Sequence, residues 1–250
     1  METKTVLNYF DAAGVVKHYS DAAACVGLWR SEEKIFTRVF APEDSILELG
    51  CGAGRIAIGL HELGYRNILA TDYSRPMVEA ARSLATRLEY RIPFRVCDAM
   101  RLDFEDAIFE GAIFGFNGLM QIPQTSNRAQ ALREIFRVLK PGACLAFTSH
   151  DRARSAHRDF WVRESQLWEQ GVQQAELDDF GDRCEATHHG AHFMHVPTRE
   201  EMEAMLLGVG FELEASVMRS ELGPEPAEVE VFSDDCRFWV VRKPASSAAS

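Results

Sequence analysis

Short apolar runs alternate with helical patterns along the chain between Ser45 and Ser149. In the segments between these runs, apolar residues recur three or four positions apart, which is the period of an amphipathic helix. A chain that alternates strands and helices in this way forms βαβ units, whose strands pair in parallel under helices on both faces. The five predicted strands are residues 45–49, 67–71, 92–97, 111–116 and 143–148.

Capping signals mark where several predicted helices begin and end. Ser74 stands immediately before an apolar-periodic run and is a favourable N-cap residue. Thr198 and Glu201 have the spacing of a capping box, which predicts another helix, and Gly210 is suited to end it. The sequence Lys-Pro-Gly at 140–142 ends the helix before the fifth strand. Two further strands are predicted later, over residues 211–218 and 236–241.

Two segments do not follow this alternation. The first 40 residues have helical patterns with an apolar stripe. Residues 150–197 are longer than an ordinary loop, and the aromatic side chains within them favour a small folded cap. A β-hairpin is predicted inside the cap over residues 183–196, with its turn near His189 and Gly190.

Composition and charge exclude several classes of protein. Of the 250 residues, 46% are hydrophobic and 26% are charged, as in a globular protein. The formal net charge is −11, and it is uneven: residues 1–150 hold 17 basic and 18 acidic residues, whereas residues 151–250 hold 10 and 20. This balance disfavours nucleic acid as a partner. No apolar run is long enough to span a membrane, and the N-terminus lacks the features of a secretory signal. The six scattered cysteines are expected to be free thiols, so the expected location is cytoplasmic.

A glycine-rich turn follows the first predicted strand, with Gly50, Gly52 and Gly54 just before a helix. Glycines let the backbone pass close to a ligand, and a helix start offers free N–H groups. A nicotinamide-cofactor fingerprint would need glycine or alanine where this chain has Arg55, which disfavours a dinucleotide. A tight strand-to-helix turn without a ligand is the alternative at this point.

Three carboxylates stand at or near the ends of successive predicted strands. Asp72 follows the second strand, where it can accept hydrogen bonds from both hydroxyls of a ribose. Asp98 follows the third strand, where it can accept one from an adenine amino group, and Glu48 precedes the glycine turn. A single Asp in a loop is usually a solvated cap. Two of them after successive strands, both beyond a glycine-rich turn, favour a nucleoside site.

These segments resemble the motifs of the class I S-adenosylmethionine (SAM)-dependent methyltransferases. Residues 46–56 are similar to the family's motif I, residues 70–74 to its ribose-binding motif and residues 96–99 to its adenine-binding motif. Residues 137–142 and 197–211 are similar to later family segments. The resemblance implies a Rossmann-like α/β fold with a seven-stranded, mostly parallel sheet whose last strand is antiparallel. It also implies SAM as the cofactor and S-adenosylhomocysteine as its product.

The resemblance implies a division of the chain and a set of cofactor residues. The division is a helical lid (1–40), a SAM-binding core (41–149), a cap or substrate insertion (150–197), the completion of the sheet (198–243) and a disordered tail (244–250). The implied cofactor residues in the core are Glu48, Gly50, Cys51, Gly52, Gly54, Asp72, Tyr73, Met77, Asp98, Ala99, Met100, Phe116 and Asn117. Tyr19, Trp29 and Arg30 are expected to close over the cofactor from the lid, although a plain core role is favoured for Trp29.

The methyl acceptor is harder to infer, because methyl transfer needs positioning and water exclusion more than a dedicated nucleophile. The fourth strand is not followed by the motif of amino- and amide-directed methyltransferases, and no Pro-Cys pair suggests cytosine chemistry. A small molecule that is neutral or cationic is therefore expected. Candidate bases are His150 and Asp151 after the fifth strand, and His195 before the capping box. For His150, a hydrogen-bonded loop residue is the alternative.

The histidine-rich run at 188–195 does not have a recognised metal-binding spacing, so no metal is expected. The sequence as a whole predicts a SAM-dependent methyltransferase that acts on an oxygen, nitrogen or sulfur atom of a small molecule, as a monomer or homodimer. The alternatives are an RNA or protein methyltransferase and a SAM-binding module without catalytic activity.

Overall fold

A computed structural model describes residues 1–245, and the last five residues of the predicted tail lie outside this range. Three helices precede the sheet: α1 (Thr3–Phe10), α2 (Ala13–Cys25) and α3 (Arg30–Val39). They pack on the sheet through α3, whose Ile35 and Phe36 are buried. In the described part of the chain, no helix combines the length and the apolar character needed to cross a bilayer.

The central sheet has seven strands, in the order β3-β2-β1-β4-β5-β9-β8. Pairing is parallel from β3 to β5, whereas β9 runs antiparallel to both β5 and β8. The predicted α/β fold and its antiparallel last strand are therefore confirmed. The strands are β1 (Ile46–Leu49), β2 (Ile68–Asp72), β3 (Phe94–Val96), β4 (Phe109–Phe114), β5 (Leu139–Ser149), β8 (Glu212–Met218) and β9 (Arg237–Arg242).

Four further helices cover the sheet, and an apolar cluster lies on each of its faces. Leu132 and Ile135 of one helix are fully buried in the first cluster, and Ala57 and Leu60 of another are fully buried in the second. Because parallel strands are covered on both sides, their apolar side chains are removed from water throughout. The covering helices are α4 (Arg55–Glu62), α5 (Arg75–Arg87), α6 (Thr125–Val138) and α8 (Arg199–Val209).

The capping signals predicted at Ser74, Thr198 and Gly210 are confirmed, whereas residues 140–142, predicted to end a helix, lie within β5. The Ser74 hydroxyl accepts the backbone N–H of Met77 at the start of α5. Thr198 accepts the N–H of Glu201, and the Glu201 carboxylate accepts the N–H of Thr198, which completes the capping box of α8. Gly210 ends α8 with a φ of +108°, a conformation that glycine adopts without steric cost.

Between β5 and α8 the chain forms helix α7 (Arg158–Glu169) and a hairpin of β6 (Asp182–Thr187) and β7 (Gly190–His195). The hairpin and its turn before Gly190 confirm the prediction made from the sequence. Arg128 of α6 is fully buried beneath the hairpin and lies 3.2 Å from Asp179 and 3.8 Å from Asp182. This buried guanidinium attaches the segment to the main sheet.

The structure differs from the sequence prediction in two places that affect the site. Strand β4 ends at Phe114, so Phe116 and Asn117 lie in a left-handed turn beyond the strand rather than at its end. The segment between the last two strands has no element predicted from the sequence. It contains two short helices, α9 (Arg219–Leu222) and α10 (Ala227–Phe232), which return to the edge of the sheet near the glycine turn.

Candidate functional site

The glycine turn joins β1 to α4 through three residues with positive φ angles, +61° at Gly50, +53° at Gly52 and +90° at Gly54. A Cβ atom at Gly50 would lie 2.8 Å from the ring of Phe114, so a larger residue does not fit there. A Cβ at Gly52 would meet only the Tyr19 ring, at 3.8 Å. The backbone at Gly52 therefore borders open space on the side of the N-terminal helices.

Asp72 fixes this turn from the end of β2. Its Oδ2 accepts the backbone N–H of Gly52 at 2.8 Å, and its Oδ1 accepts that of Ser74 at 2.8 Å. Burial raises the pKa of the Asp72 carboxyl to about 6, although both N–H groups favour the ionised form. Near neutral pH the group is therefore a carboxylate with lone pairs left for a ligand.

Glu48 lies in β1 and is almost completely buried. Its Oε2 atom has no hydrogen-bond partner within residues 1–245. Burial raises the pKa of Glu48 to about 8, and the nearby Arg55 guanidinium opposes this shift. A buried acceptor without a partner costs free energy unless a ligand or water satisfies it. Near neutral pH the Glu48 carboxyl is therefore mostly protonated and can donate as well as accept a hydrogen bond.

A narrow cavity of about 140 Å³, here called the glycine cleft, lies above the turn. Helix α1 covers it through Val6 and Phe10, and α2 covers it through Tyr19. The apolar wall continues to Pro123. The predicted cofactor residues that line the cleft are Gly50, Gly52, Asp72, Tyr73, Met77, Asp98, Ala99, Met100, Phe116 and Tyr19.

The other six predicted cofactor residues do not line the glycine cleft: Glu48, Cys51, Gly54, Asn117, Trp29 and Arg30. Cys51 and Gly54 shape the turn through their backbone, because the Gly54 N–H donates to the Cys51 carbonyl. Trp29 is 1% exposed and packs against the Arg55 guanidinium, 4.7 Å from the ring centroid. This position agrees with the plain core role favoured for Trp29.

Arg30 requires a correction. It lies at the surface and does not line the cleft. The backbone N–H groups of Arg30 and Ser31 both donate to the Glu225 carboxylate, which caps the start of α3. The geometry therefore does not support the expectation that the Arg30 side chain closes over a cofactor.

A larger cavity of about 580 Å³, here called the cap cavity, lies between the cap and the edge of the sheet. Its apolar wall includes Phe160, Trp161 and Leu177. Six carboxylates and three arginines line it, so its formal charge is negative. The carboxylates are Asp151, Glu164, Asp182, Glu185, Asp234 and Asp235, and the arginines are Arg154, Arg163 and Arg183.

His150 lies at the wall of the cap cavity and connects it to the turn beyond β4. Its Nδ1 lies 3.0 Å from the backbone carbonyl of Asp235, and its Nε2 lies 3.2 Å from Nδ2 of Asn117. A carbonyl oxygen only accepts, so Nδ1 carries the hydrogen and Nε2 accepts from the Asn117 amide. Burial lowers the pKa of His150, so the ring is neutral near pH 7.

The other two candidate bases have structural partners that occupy them. Asp151 is buried, and its Oδ2 accepts hydrogen bonds from Arg237 at 2.7 and 3.1 Å. His195 is also buried, and its Nδ1 lies 2.7 Å from Oδ1 of Asp182. His195 does not line the cap cavity. His150 lines the cap cavity and its two ring partners are an uncharged carbonyl and an uncharged amide, so it is the best placed of the three candidate bases, and all three catalytic roles stay predictions.

The histidine-rich run is spread over the hairpin. The His188 and His189 rings lie against each other at the turn with an interplanar angle of 46°, and His192 stacks on Tyr9 of α1 at 4.9 Å. Within residues 1–245, no group of three His, Cys, Asp or Glu side chains has a geometry that would hold a metal ion. The run therefore acts in packing between the hairpin and α1.

Comparison with known proteins identifies the core. A family model described as a methyltransferase domain matches residues 46–142, which include the glycine turn and both strand-end carboxylates. The match covers 97 of the 250 residues, so what it shows is a methyltransferase-like domain within the chain. The structure of a SAM-dependent methyltransferase from Methanosarcina mazei has a TM-score of 0.68 at 21% identity, over 85% of this chain and 98% of that chain. At this identity the likeness shows the fold alone.

Two curated relatives match the same methyltransferase domain. A demethylmenaquinone methyltransferase of Lactiplantibacillus plantarum is 37% identical over 114 residues, 43% of this chain and 46% of the relative. A ubiquinone/menaquinone biosynthesis C-methyltransferase of Desulfotalea psychrophila is 35% identical over 98 residues, 39% and 37% of the two chains. The chain thus spans less than half the length of these two relatives.

The cofactor of this family is SAM, and the residues at the glycine cleft fit it. SAM carries an ammonium group, two ribose hydroxyls and an adenine. The Asp72 carboxylate suits the hydroxyls, whereas Glu48 does not line the cleft and its carboxyl, with a pKa raised to about 8, is mostly uncharged near pH 7. Asp98 lies on the same cleft, where only its Oδ1 is used, by the N–H of Met100. Donors on the ligand thus face acceptors on the protein.

Sequence reasoning missed the contribution of the segment between β8 and β9. Phe232 of α10 stacks on Phe116 at 4.9 Å, and Asp234 and Asp235 line the cap cavity. The sequence did indicate that this segment is not a continuous strand, because it contains two prolines, at 224 and 226, with apolar residues around them. Nothing local indicates that the segment folds back toward the glycine turn.

Proposed function

We propose that this protein transfers a methyl group from SAM to an oxygen, nitrogen or sulfur atom of a small molecule held in the cap cavity. The observation that carries the proposal is the contact between Asn117 and His150. Asn117 directly follows Phe116, which lines the glycine cleft, and His150 lines the cap cavity. The glycine cleft, for the methyl donor, and the cap cavity, for the methyl acceptor, are therefore connected through the side chains of Asn117 and His150.

In this proposal the protein positions SAM and the methyl acceptor, and it removes one proton from the acceptor. SAM, when bound, supplies an electrophilic methyl group on a positively charged sulfur. Gly52 and Asp72 hold the ligand on the cleft side, and Tyr19 and Phe10 exclude water there. Nε2 of His150 accepts a proton from an acceptor whose nucleophilic atom must lose one, after the Asn117 amide that donates to Nε2 has turned away. A neutral, partly buried imidazole is the protonation state that this step requires.

The cap cavity favours an acceptor that is neutral or cationic. Its carboxylates outnumber its arginines by six to three, and a polyanionic ligand would meet repulsion at this wall. The apolar residues Phe160, Trp161 and Leu177 suit a ligand with an apolar body. The same negative charge supports a function without nucleic acid. We further expect a cytoplasmic protein that is a monomer or a homodimer.

A carbon acceptor is the second candidate, and one observation favours it. The Desulfotalea psychrophila relative is named a C-methyltransferase of ubiquinone and menaquinone biosynthesis. A phenol ring that loses its O–H proton becomes nucleophilic at carbon, so the same imidazole base would serve. The two candidates differ in where the new bond forms, which mass spectrometry of the product distinguishes.

Two measurements on the purified chain test the proposed function. Calorimetry with S-adenosylhomocysteine is expected to show one binding site per chain. Labelled SAM with a fractionated metabolite extract is expected to give a labelled product of low molecular mass. Binding without labelling of any fraction would support the non-catalytic alternative, and strong salt-sensitive binding of tRNA would support an RNA methyltransferase. Absence of binding would contradict the proposal altogether.

A further inference from the structure

Residues 219–236, here called the β8–β9 insertion, contact both sides of the proposed site. Phe232 stacks on Phe116 of the glycine cleft with ring centroids 4.9 Å apart and an interplanar angle of 20°. Three residues later, the backbone carbonyl of Asp235 accepts a hydrogen bond from His150. The pairing of the last two strands does not depend on this insertion, since β8 and β9 form six direct residue pairs.

The turn that carries Phe116 and Asn117 is strained. Their φ angles are +48° and +60°, and two consecutive non-glycine residues in the left-handed region are unusual, particularly when one is aromatic. Such a conformation persists only when its surroundings hold it. The Asn117 N–H donates to the Thr148 hydroxyl at 2.8 Å, and Trp29 meets the Phe116 ring edge-on at 5.6 Å. The Phe232 ring stacks on the Phe116 ring and is the third of these contacts.

The hydrogen bond to Asp235 determines which nitrogen of His150 can take a proton. With its hydrogen on Nδ1, the ring leaves the Nε2 lone pair to the Asn117 amide. The Oδ1 atom of Asn117 is buried and has no partner in the described part of the chain. The amide can therefore reverse when Nε2 gains a proton, so that Oδ1 accepts the new N–H.

We propose that the β8–β9 insertion positions the catalytic base: its Phe232 ring holds the strained Phe116–Asn117 turn, and its Asp235 carbonyl fixes the His150 tautomer. Phe232 is a positioning residue, because it acts through Phe116. This inference rests on the proposed function in taking His150 as the base. It assigns a role to a segment outside the matched methyltransferase domain.

The test is the tautomer of His150, measured from the ¹⁵N shifts of labelled imidazoles, with the His150 signals assigned from a His150→Gln variant. The wild-type ring is expected to carry its hydrogen on Nδ1. Phe232→Leu retains an apolar side chain but removes the flat face, and Phe232→Tyr retains the face. Val231→Ala is the matched control, since the neighbouring Val231 side chain is 89% exposed.

Phe232→Leu is expected to shift the tautomer ratio by roughly fivefold or more, the effect of weakening one hydrogen bond. Phe232→Tyr and Val231→Ala are expected to retain the wild-type ratio. Asp235→Ala removes the side chain that accepts from Ser220 and orients this turn, and it is expected to shift the ratio in the same direction. A wild-type ring protonated on Nε2, or an unchanged ratio in Phe232→Leu and Asp235→Ala, would overturn the inference.

Titration with S-adenosylhomocysteine separates this inference from the proposed function. Val231→Ala and Asp235→Ala, which leave the Phe116–Phe232 contact intact, are expected to bind it within about threefold of wild type, a margin well below one buried hydrogen bond. If the wild type fails to bind it, the proposed function fails whatever the tautomer. If binding is intact and the tautomer does not respond, only the role of the insertion fails.

Discussion

The Oδ2 atom of Asp72 accepts the backbone N–H of Gly52, 20 residues earlier in the chain, at 2.8 Å. The carboxylate that is implied in ribose binding therefore also holds the glycine turn in place. A substitution at Asp72 therefore changes both the shape of the glycine cleft and the number of hydrogen-bond acceptors in it.

Asp72→Ala is expected to weaken S-adenosylhomocysteine binding by at least tenfold, because it removes the acceptor for two hydroxyls and releases Gly52. Calorimetry at pH 7.5 measures the dissociation constant. Asp103→Asn is the matched control, since the Asp103 side chain is 90% exposed and forms a surface ion pair with Arg95. Equal affinities for wild type and Asp72→Ala would rule out this role for Asp72.

The affinity is also expected to depend on pH through Asp72. Burial raises the folded-state pKa of this carboxyl from 3.8 to about 6, so the group ionises only above that pH. The ionised form accepts hydroxyl donors, so the dissociation constant is expected to rise by up to about tenfold per unit as pH falls below 6. Asp72→Asn cannot ionise and is expected to lose this slope. The same raised pKa has the opposite effect on folding, because its contribution to stability is present at low pH and lost as pH rises through 6.

His150→Gln is expected to lower the turnover rate, whereas Asp151→Asn is expected to lower the stability of the fold. His150→Gln is expected to reduce turnover roughly 100- to 10,000-fold, the range for loss of a general base, with little change in melting temperature. Asp151→Asn removes the charge that neutralises the buried Arg237 and is expected to cost about 3–5 kcal/mol of folding free energy. Urea unfolding and labelled-methyl turnover distinguish them. A stable but inactive Asp151→Asn would reinstate Asp151 as a base.

The pair of Glu32 and Arg55 is expected to contribute strongly to stability. Glu32 is fully buried and accepts two hydrogen bonds from Arg55 at 2.5 and 2.6 Å. Glu32→Gln leaves a buried guanidinium unneutralised and is expected to cost about 3–5 kcal/mol. The exposed pair of Arg199 and Glu203 serves as control, and Glu203→Gln is expected to cost under about 1 kcal/mol. Similar losses in the two variants would contradict this assignment.

The two side-chain N-caps offer a further comparison. Thr198→Ala is expected to cost about 1 kcal/mol, the usual value for a lost N-cap. Ser74→Ala is expected to cost more, because the Ser74 hydroxyl also donates to Asp11 between α1 and α2 at 2.6 Å. Limited proteolysis is expected to cut the first 12 residues faster in Ser74→Ala only. Equal cleavage in both variants would show that this bond does not hold the N-terminal segment.

The cofactor side of the site could be predicted from sequence because its signals are local. Gly50, Gly52 and Asp72 stand at fixed distances from strand ends, and the ends of neighbouring parallel strands meet at one edge of the sheet. The strand-to-helix alternation likewise places five strands within a few residues of their observed positions. Propensity and periodicity are sufficient for these elements.

The acceptor side could not be predicted because its contacts are distant in sequence. Arg237 neutralises Asp151 from 86 residues away, and Asp235 fixes the His150 ring from 85 residues away. No local spacing of residues in the sequence predicts that Arg237 or Asp235 makes these contacts. Strand β4 also ends earlier than its apolar run suggests, since Phe116 packs against Phe232 and Trp29 outside the sheet.

Every residue that lines the cap cavity lies between positions 150 and 235, beyond the end of the matched domain at residue 142. A chimera made by exchanging only residues 46–142 with a relative should therefore retain the acceptor preference of the host chain. The exchange of residues after 142 should transfer that preference. Recombination near this position separates the two specificities, which gives a practical crossover site for engineering this chain.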